Sequence, residues 1–405
     1  MTIDEPASVT RFRDYLKIRT ENPNPAYYEC TEFLIKQANE IGLEHQVIEP
    51  VKGKPIVILR LPGSDPSLKS IMLGSHTDVV PVFEEFWDYP PFAAVRVPTE
   101  DGDFKIYARG SQDMKVTGSM HLEAIRNIKN LGKKLARDVY IVFSPDEEIG
   151  GADGVQKLVE TEEFRKMNVG FDLDEGSPGS DNRYMFYYAE RTISQVVFTA
   201  HGNTGHGSQF IEGTAIEKLL PIVKTLMNLR EENLQKVLKM KEGNSVFNLG
   251  QVTTVNLNMF SGGKQVNVVP ATYQATFDIR VTPNVDFEEF QNMLRNLAKE
   301  HDVDIEFVLP GQKRTITPLD RNNKLIDAFF KSLEQIGIEP VPIITPGATD
   351  ARHIRPKGVP VFGFCPMINH PRMAHQHNEH VIESQYLSGI KVFTQLVQDL
   401  ANTQD

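Results

Sequence analysis

Only two cysteines, Cys30 and Cys365, stand in 405 residues. That is too few for a disulfide scaffold or a thiolate zinc site, and the scarcity fits a reducing compartment. Positive charge is also short: 43 Lys and Arg face 54 Asp and Glu, a formal net charge of -11. A general nucleic-acid binder or a protein of anionic membrane surfaces would want a basic patch, so neither partner is expected, while a cationic cofactor suits the balance. No window approaches 18 uninterrupted apolar residues, and Met1-Thr-Ile-Asp-Glu-Pro6 offers no positive region ahead of an apolar core. A cytoplasmic location is expected. Repeats, low-complexity linkers, a G-x-S-x-G elbow, an H-E-x-x-H helix and a P-loop are missing as well, so these motif-borne routes to hydrolysis or phosphate binding have no support.

What is present is an ordinary globular composition, 40% hydrophobic and 24% charged, long enough for two domains. Residues 8 to 40 read as helical, Lys54 to Leu61 as a strand, and Ser70 to Gly74 as a short apolar strand ending at His76. A helical pattern through Met114, Met120, Ala124, Ile125, Ile128 and Leu131 separates these from a strand at Val139 to Phe143. Strand, helix, strand predicts a parallel sheet. Gly170-Phe-Asp-Leu173 adds a strand running into Asp174-Glu175-Gly176, and Val359 to Phe364 adds another.

Between these the pattern changes. A strand at Gln195 to Thr199, a helix from Ala215 to about Lys239, strands at Gly250 to Leu257 and Thr272 to Val281, a helix at Phe287 to Lys299 and a strand at Val303 to Val308 give the order βαββαβ of a ferredoxin-like unit. The expected fold is therefore α/β: a mixed, largely parallel sheet domain formed by 1–189 and 310–405, with a ferredoxin-like α+β domain inserted at 190–309.

His76, Asp78, Asp113, Glu147, Glu148, Glu175 and His375 each follow a strand or open a helix, where open α/β sheets place their ligands. In an extended Ser75-His-Thr-Asp78, His76 and Asp78 point the same way, so Asp78 could accept from the His76 ring nitrogen that leaves metal alone. Phe143-Ser-Pro-Asp-Glu-Glu-Ile-Gly-Gly151 crowds Asp146, Glu147 and Glu148 at a strand end, which by itself suits a helix cap equally well. Buried acids at one edge, however, repel and shift upward in pKa unless a cation sits among them. Mixed His and carboxylate ligation favours zinc over magnesium, which seldom takes imidazole.

Taken in order, Ser75-His-Thr-Asp-Val-Val-Pro81, Trp87 with Pro90-Pro-Phe92, Tyr107-Ala-Arg-Gly-Ser-Gln-Asp-Met-Lys115, Pro145-Asp-Glu-Glu-Ile-Gly-Gly151, Asp174-Glu-Gly176 and His375-Gln-His-Asn-Glu379 resemble the dizinc exopeptidase and deacylase family. The likeness covers nearly the whole chain. It implies two Zn²⁺ per subunit, bridged by Asp113, with His76 and Glu175 on one ion and Glu148 and His375 on the other. It implies Glu147 as general base for a metal-activated water, with Asp78 supporting His76. Asp146 stays a local hydrogen-bonding group, and His370, His377 and His380 read as surface or supporting residues.

The inserted domain is implied to act as a lid and dimerisation domain. Thr204-Gly-His-Gly-Ser208 resembles the lid motif, so His206 is expected to hold the oxyanion across a homodimer interface. Asn267, Arg280 and Arg352 are expected substrate contacts, Arg280 for a free carboxylate, because a guanidinium fork fits one bidentately. Val82-Phe83 and Val116-Thr117 stand where bacterial deacylases carry Gly-Asp and Gly-Gly, which favours the aminoacylase branch. The implied reaction is hydrolysis of small N-acyl-L-amino acids, with a dipeptidase or carboxypeptidase of the same family as the alternative.

Overall fold

The computed structural model describes residues 4–309, 311 and 315–404. They form two units: one takes the chain to Tyr188, Thr317–Pro342 and the part from Thr349 onward, the other Ala189–Ile316 with Ile343–Ala348. The expected return to the first domain at residue 310 falls outside the described residues.

The first unit is built on a mixed sheet of eight strands in the order Glu44–Val51, Lys54–Leu61, Val139–Ser144, Ser70–His76, Val169–Asp174, Val361–Phe364, Met185–Glu190, Val341–Thr345. Ser70–His76 runs parallel to both its neighbours, with His76 level with Ser144 and Leu73 level with Leu173. Three strands thus end at one edge, and each feeds a loop there. These central strands are buried on both faces, which explains their continuous apolar runs. The helix Lys115–Asn130 is buried along most of its length and packs on that sheet and on the helix Glu383–Asn402. It comes close because of Gly118: a Cβ there would meet Ser75 Oγ at 2.6 Å, one residue from His76.

The expected helix over 8 to 40 is two helices, Ala7–Leu16 and Tyr27–Ile41. Asn22-Pro-Asn-Pro25 interrupts them, since a proline disfavours helical backbone in the residue before it and lacks the N–H a helix needs. The interruption runs past the sheet edge, where Glu21 bridges Val79.

The second unit has a four-stranded antiparallel sheet in the order Thr254–Gly262, Thr272–Val281, Thr192–His201, Val303–Leu309, with helices Ala215–Leu238 and Phe287–Glu300. This is the expected ferredoxin-like order. Phe198, Phe277, Ile279, Leu219 and Leu294 make its separate apolar core. Strand Thr254–Gly262 begins four residues later than expected, because Val246–Leu249 forms a short helix ahead of it. Among the described residues no helix is long and apolar enough to cross a membrane.

Candidate metal centre

His76 closes its strand as a buried residue and points its ring at the edge. Its Nδ1 lies 3.0 Å from the backbone carbonyl of Asp78. A carbonyl only accepts, so Nδ1 carries the proton and Nε2 is left to face the cluster. There Nε2 is 3.2 Å from Asp113 Oδ1 and 3.8 Å from Glu175 Oε2. The expected orienting bond from His76 Nδ1–H to the Asp78 carboxylate is thus partly replaced. That carboxylate stands 3.4 Å from Nδ1, and its oxygens mainly accept from the backbone N–H of Glu147 and of Glu148, each at 3.1 Å, and from Asn22 Nδ2 at 3.1 Å. Asp78 therefore fixes the turn that carries both acids.

That turn follows Asp146, whose φ of 65° is left-handed, and runs as a short 3₁₀ segment, Glu147–Ile149. Neighbouring side chains diverge from it. Glu148 Oε2 lies 3.1 Å from His375 Nε2, and Glu147 belongs with His76 and Glu175, their ligand atoms within 4.8 Å of one another. Asp146 turns away to accept from Tyr27 Oη at 2.6 Å and to pair with Lys54 at 2.7 Å. It caps no helix by its side chain.

Asp113 sits between the two imidazoles. Its Oδ1 faces His76 at 3.2 Å, and its Oδ2 faces His375 at 3.1 Å. The structure therefore brings His76, Asp113, Glu147, Glu148, Glu175 and His375 to one place, with one carboxylate oxygen of Asp113 on each side. Asp350, not foreseen as a site residue, is buried beside them, accepts from Ser144 Oγ at 3.1 Å and is pushed up to about 7 by burial and by Asp174. Sequence held a signal for it, since it lies two residues before Arg352. Arg352 Nη2 is 3.6 Å from Glu147 Oε1 and makes no hydrogen bond among the described residues.

Electrostatics fit a cation. Burial raises Glu147, Glu148 and Glu175, with like-charged neighbours adding to it. Burial alone would lower His76, but hydrogen bonding to Asp113 and Asp78 outweighs it and holds the ring well above its usual value. Hydrogen bonds to Asp113 and Glu148 push His375 up to about 10. Glu148 Oε1 is buried and lacks any hydrogen-bond partner among the described residues, an orphan that a metal ion would satisfy. Two imidazoles with several carboxylates and no thiolate suit zinc better than magnesium.

The other histidines stay apart. His370 is buried, accepts from Ile382 N–H at 3.0 Å and is pushed down to about 4 by burial. His380 is buried with Nδ1 on the Asn378 carbonyl, and His377 is exposed beside Phe83 and Phe86.

His206, Asn267 and Arg280 lie in the second unit. His206 pairs with Val268 in a two-strand ladder, and Gly207 N–H donates to the Asn267 carbonyl at 2.8 Å. His206 Nδ1 accepts from Ser208 N–H at 3.2 Å, so the proton resides on the exposed Nε2. Arg280 holds its strand neighbour Asp278 by two hydrogen bonds, at 2.7 and 3.3 Å. With Arg191, Arg230 and Asn256 the pair lines a cavity of about 510 Å³ within that unit.

A family model described as peptidase family M20/M25/M40 matches residues 72–399. Aminoacylase-1 of Mus musculus is 41% identical over 98% of this chain and 96% of its own length. Among solved structures, a metallo-carboxypeptidase of Sulfolobus solfataricus has a TM-score of 0.75 at 20% identity, covering 98% of this chain and all of the other. A dinuclear metal-binding peptidase of Bacillus subtilis has a TM-score of 0.66 at 15% identity, with 98% of each chain covered.

Proposed function

The chain belongs to peptidase family M20/M25/M40, and from that premise we propose that it hydrolyses N-acyl-L-amino acids to a carboxylate and a free L-amino acid. In this reading two zinc ions would be held by His76 and Glu175 on one side, by Glu148 and His375 on the other, with Asp113 available to both. One observation carries the dinuclear part: Asp113 turns one oxygen to each imidazole. The full-length likeness to mouse aminoacylase-1 supports the substrate class. The reading of a dinuclear centre also agrees with the description of the Bacillus subtilis relative in fold.

Zinc, when bound, would supply a Lewis acid that polarises the amide carbonyl and lowers the pKa of water to about 7. The side chains do the rest. Glu147, whose affinity for a proton is raised by burial, takes the proton of the attacking water and passes it to the departing amine nitrogen. Asp78 holds Glu147 and Glu148 in divergent directions through their backbone N–H groups. Arg352 offers a buried, unused N–H beside Glu147 for an oxygen of the substrate. His206, with its Nε2 proton outward and exposed, is suited to hold the oxyanion from the partner subunit of a homodimer. Asn267 and Arg280 complete the substrate contacts once Arg280 trades Asp278 for the free carboxylate. The buried, unpaired Cys30 and Cys365 agree with a cytoplasmic location.

Turnover of N-acetyl-L-methionine against methionine dipeptides, measured after chelation and after zinc is restored, tests this reading. The expected result is activity only with zinc and a higher kcat/KM for the N-acyl substrate. Faster dipeptide hydrolysis overturns the substrate class, and activity in metal-free protein overturns the mechanism.

A further inference from the structure

Asp113 and His375 face each other at 3.1 Å, yet they come from segments far apart in the chain, and each rides on a loop rather than a helix or strand. His375 has a left-handed φ of 65° and a side chain 55% exposed, so little around its own ring holds it in place. What ties the loops together lies one residue before the first ligand and four residues after the second.

Gln112 is buried and reaches into the histidine loop. Its Nε2 donates to the carbonyls of Pro371 and His380, both at 2.9 Å, and its Oε1 accepts from Met373 N–H at 2.9 Å. Glu379 is buried and reaches the other way. Its Oε1 accepts from the N–H of Gln112 at 2.6 Å and of Asp113 at 3.3 Å, and its Oε2 from Gly110 N–H at 3.1 Å and Arg109 Nη1 at 2.7 Å. Arg109 is itself buried beneath Trp87 and returns a bond to the Gln376 carbonyl at 3.2 Å. Each loop thus inserts a polar side chain into the backbone of the other.

We infer that Gln112 and Glu379 form a reciprocal clamp that sets the spacing of Asp113 and His375 and thereby the affinity of the ion bound on the Glu148 and His375 side. The inference rests on the dinuclear reading above. Both are positioning residues, with no side-chain contact to the ligand oxygens or to His375 Nε2. Backbone hydrogen bonds suit this role better than packing, because they fix direction as well as distance, and a buried carboxylate with four donors is costly to move. Glu148, the third donor on that side, is held separately by Asp78, and His76 by its strand. The clamp therefore acts chiefly on the Glu148 and His375 side and reaches the other side only through Asp113.

Zinc stoichiometry and affinity, measured by chelator competition on the full chain, test it, with the melting temperature of the metal-free protein alongside. Gln112→Met keeps the volume and removes three hydrogen bonds; Glu379→Gln keeps the shape and places an amide against backbone donors. Positioning groups of this kind typically contribute 10–100-fold in metal affinity. Each variant is expected to weaken one ion about 10- to 100-fold and the other, reached only through Asp113, by less. The double variant should be no worse than the poorer single one, as for two halves of one device. Wild-type affinity for both ions in either variant overturns the clamp. So does equal weakening of both ions together with a lower melting temperature of the metal-free protein, the mark of a purely structural pair. If one variant does not fold, the other carries the test alone. A wild-type protein that binds fewer than two ions refutes the dinuclear reading itself, an outcome separate from failure of the clamp.

Discussion

The first unit gathers its functional acids and imidazoles at the ends of buried parallel strands, where the backbone of one loop is hydrogen-bonded by side chains of another. The second unit displays His206 on a short exposed ladder and leaves Arg280 on a sheet face, paired with its strand neighbour Asp278. Like-charged groups pressed together must be held by force from elsewhere in the fold. Side chains meant to meet a substrate or a second subunit need exposure instead. In the proposed reading this contrast is a division of labour: the metal ligands all lie in the first unit, and His206 and Arg280 of the second are proposed to meet the substrate.

The sharpest way to break that division is to remove the proposed base. Glu147→Gln is expected to lower kcat by about 10²–10⁴-fold while zinc content stays at the wild-type level. Loss of an ion in this variant would make Glu147 a ligand, which its place beside His76 and Glu175 also permits geometrically. Next in size, His206→Ala is expected to lower kcat by about 10²–10³-fold, the usual cost of one oxyanion donor, again with zinc content unchanged. A fall in metal affinity there would place the second unit in the metal centre.

The two histidine ligands sharpen the contrast within the first unit. In metal-free protein, His76→Ala removes a buried ring with partners on both nitrogens and should cost about 1–3 kcal/mol of stability by denaturant unfolding. His375→Ala, at a more exposed site, should cost less than His76→Ala at neutral pH. Both should impair zinc binding, so equal function would accompany unequal stability.

The smallest effect is one of pH. His375 in the folded, metal-free protein titrates at about 10, above the unfolded value near ~6.5. Its stabilising contribution is therefore full below that lower pH and is lost as pH climbs toward about 10. Metal-free wild type should lose stability over this window more steeply than His375→Ala. Zinc binding at neutral pH should release protons, readable in buffers of different ionisation enthalpy.

Much of this was legible in the sequence because strand ends announce themselves. Apolar runs closing on His76, on Asp174-Glu175 and on the acids after Phe143 place those groups at one edge by topology alone. The ferredoxin-like unit was legible for the same reason, since alternating burial such as that of Thr192–His201 follows directly from period-two patterning. What acts through the backbone was not. Asn22, Gln112 and Glu379 reach groups distant in sequence, and no local pattern encodes those partners. Sequence spacing pairs Asp78 with the nearest ring, whereas its carboxylate mainly serves two N–H groups of a remote turn. The helix break at Asn22-Pro-Asn-Pro25 is readable in its prolines, but the apolar periodicity on either side masks it.

The most direct test is to titrate chelated protein with zinc while recording ions bound and N-acetyl-L-methionine turnover together. Two equivalents per chain at saturation, with no turnover before metal is added, is the expected result. Saturation at one equivalent, or full turnover with none bound, would contradict the claim that Asp113 joins two ions between His76 and His375.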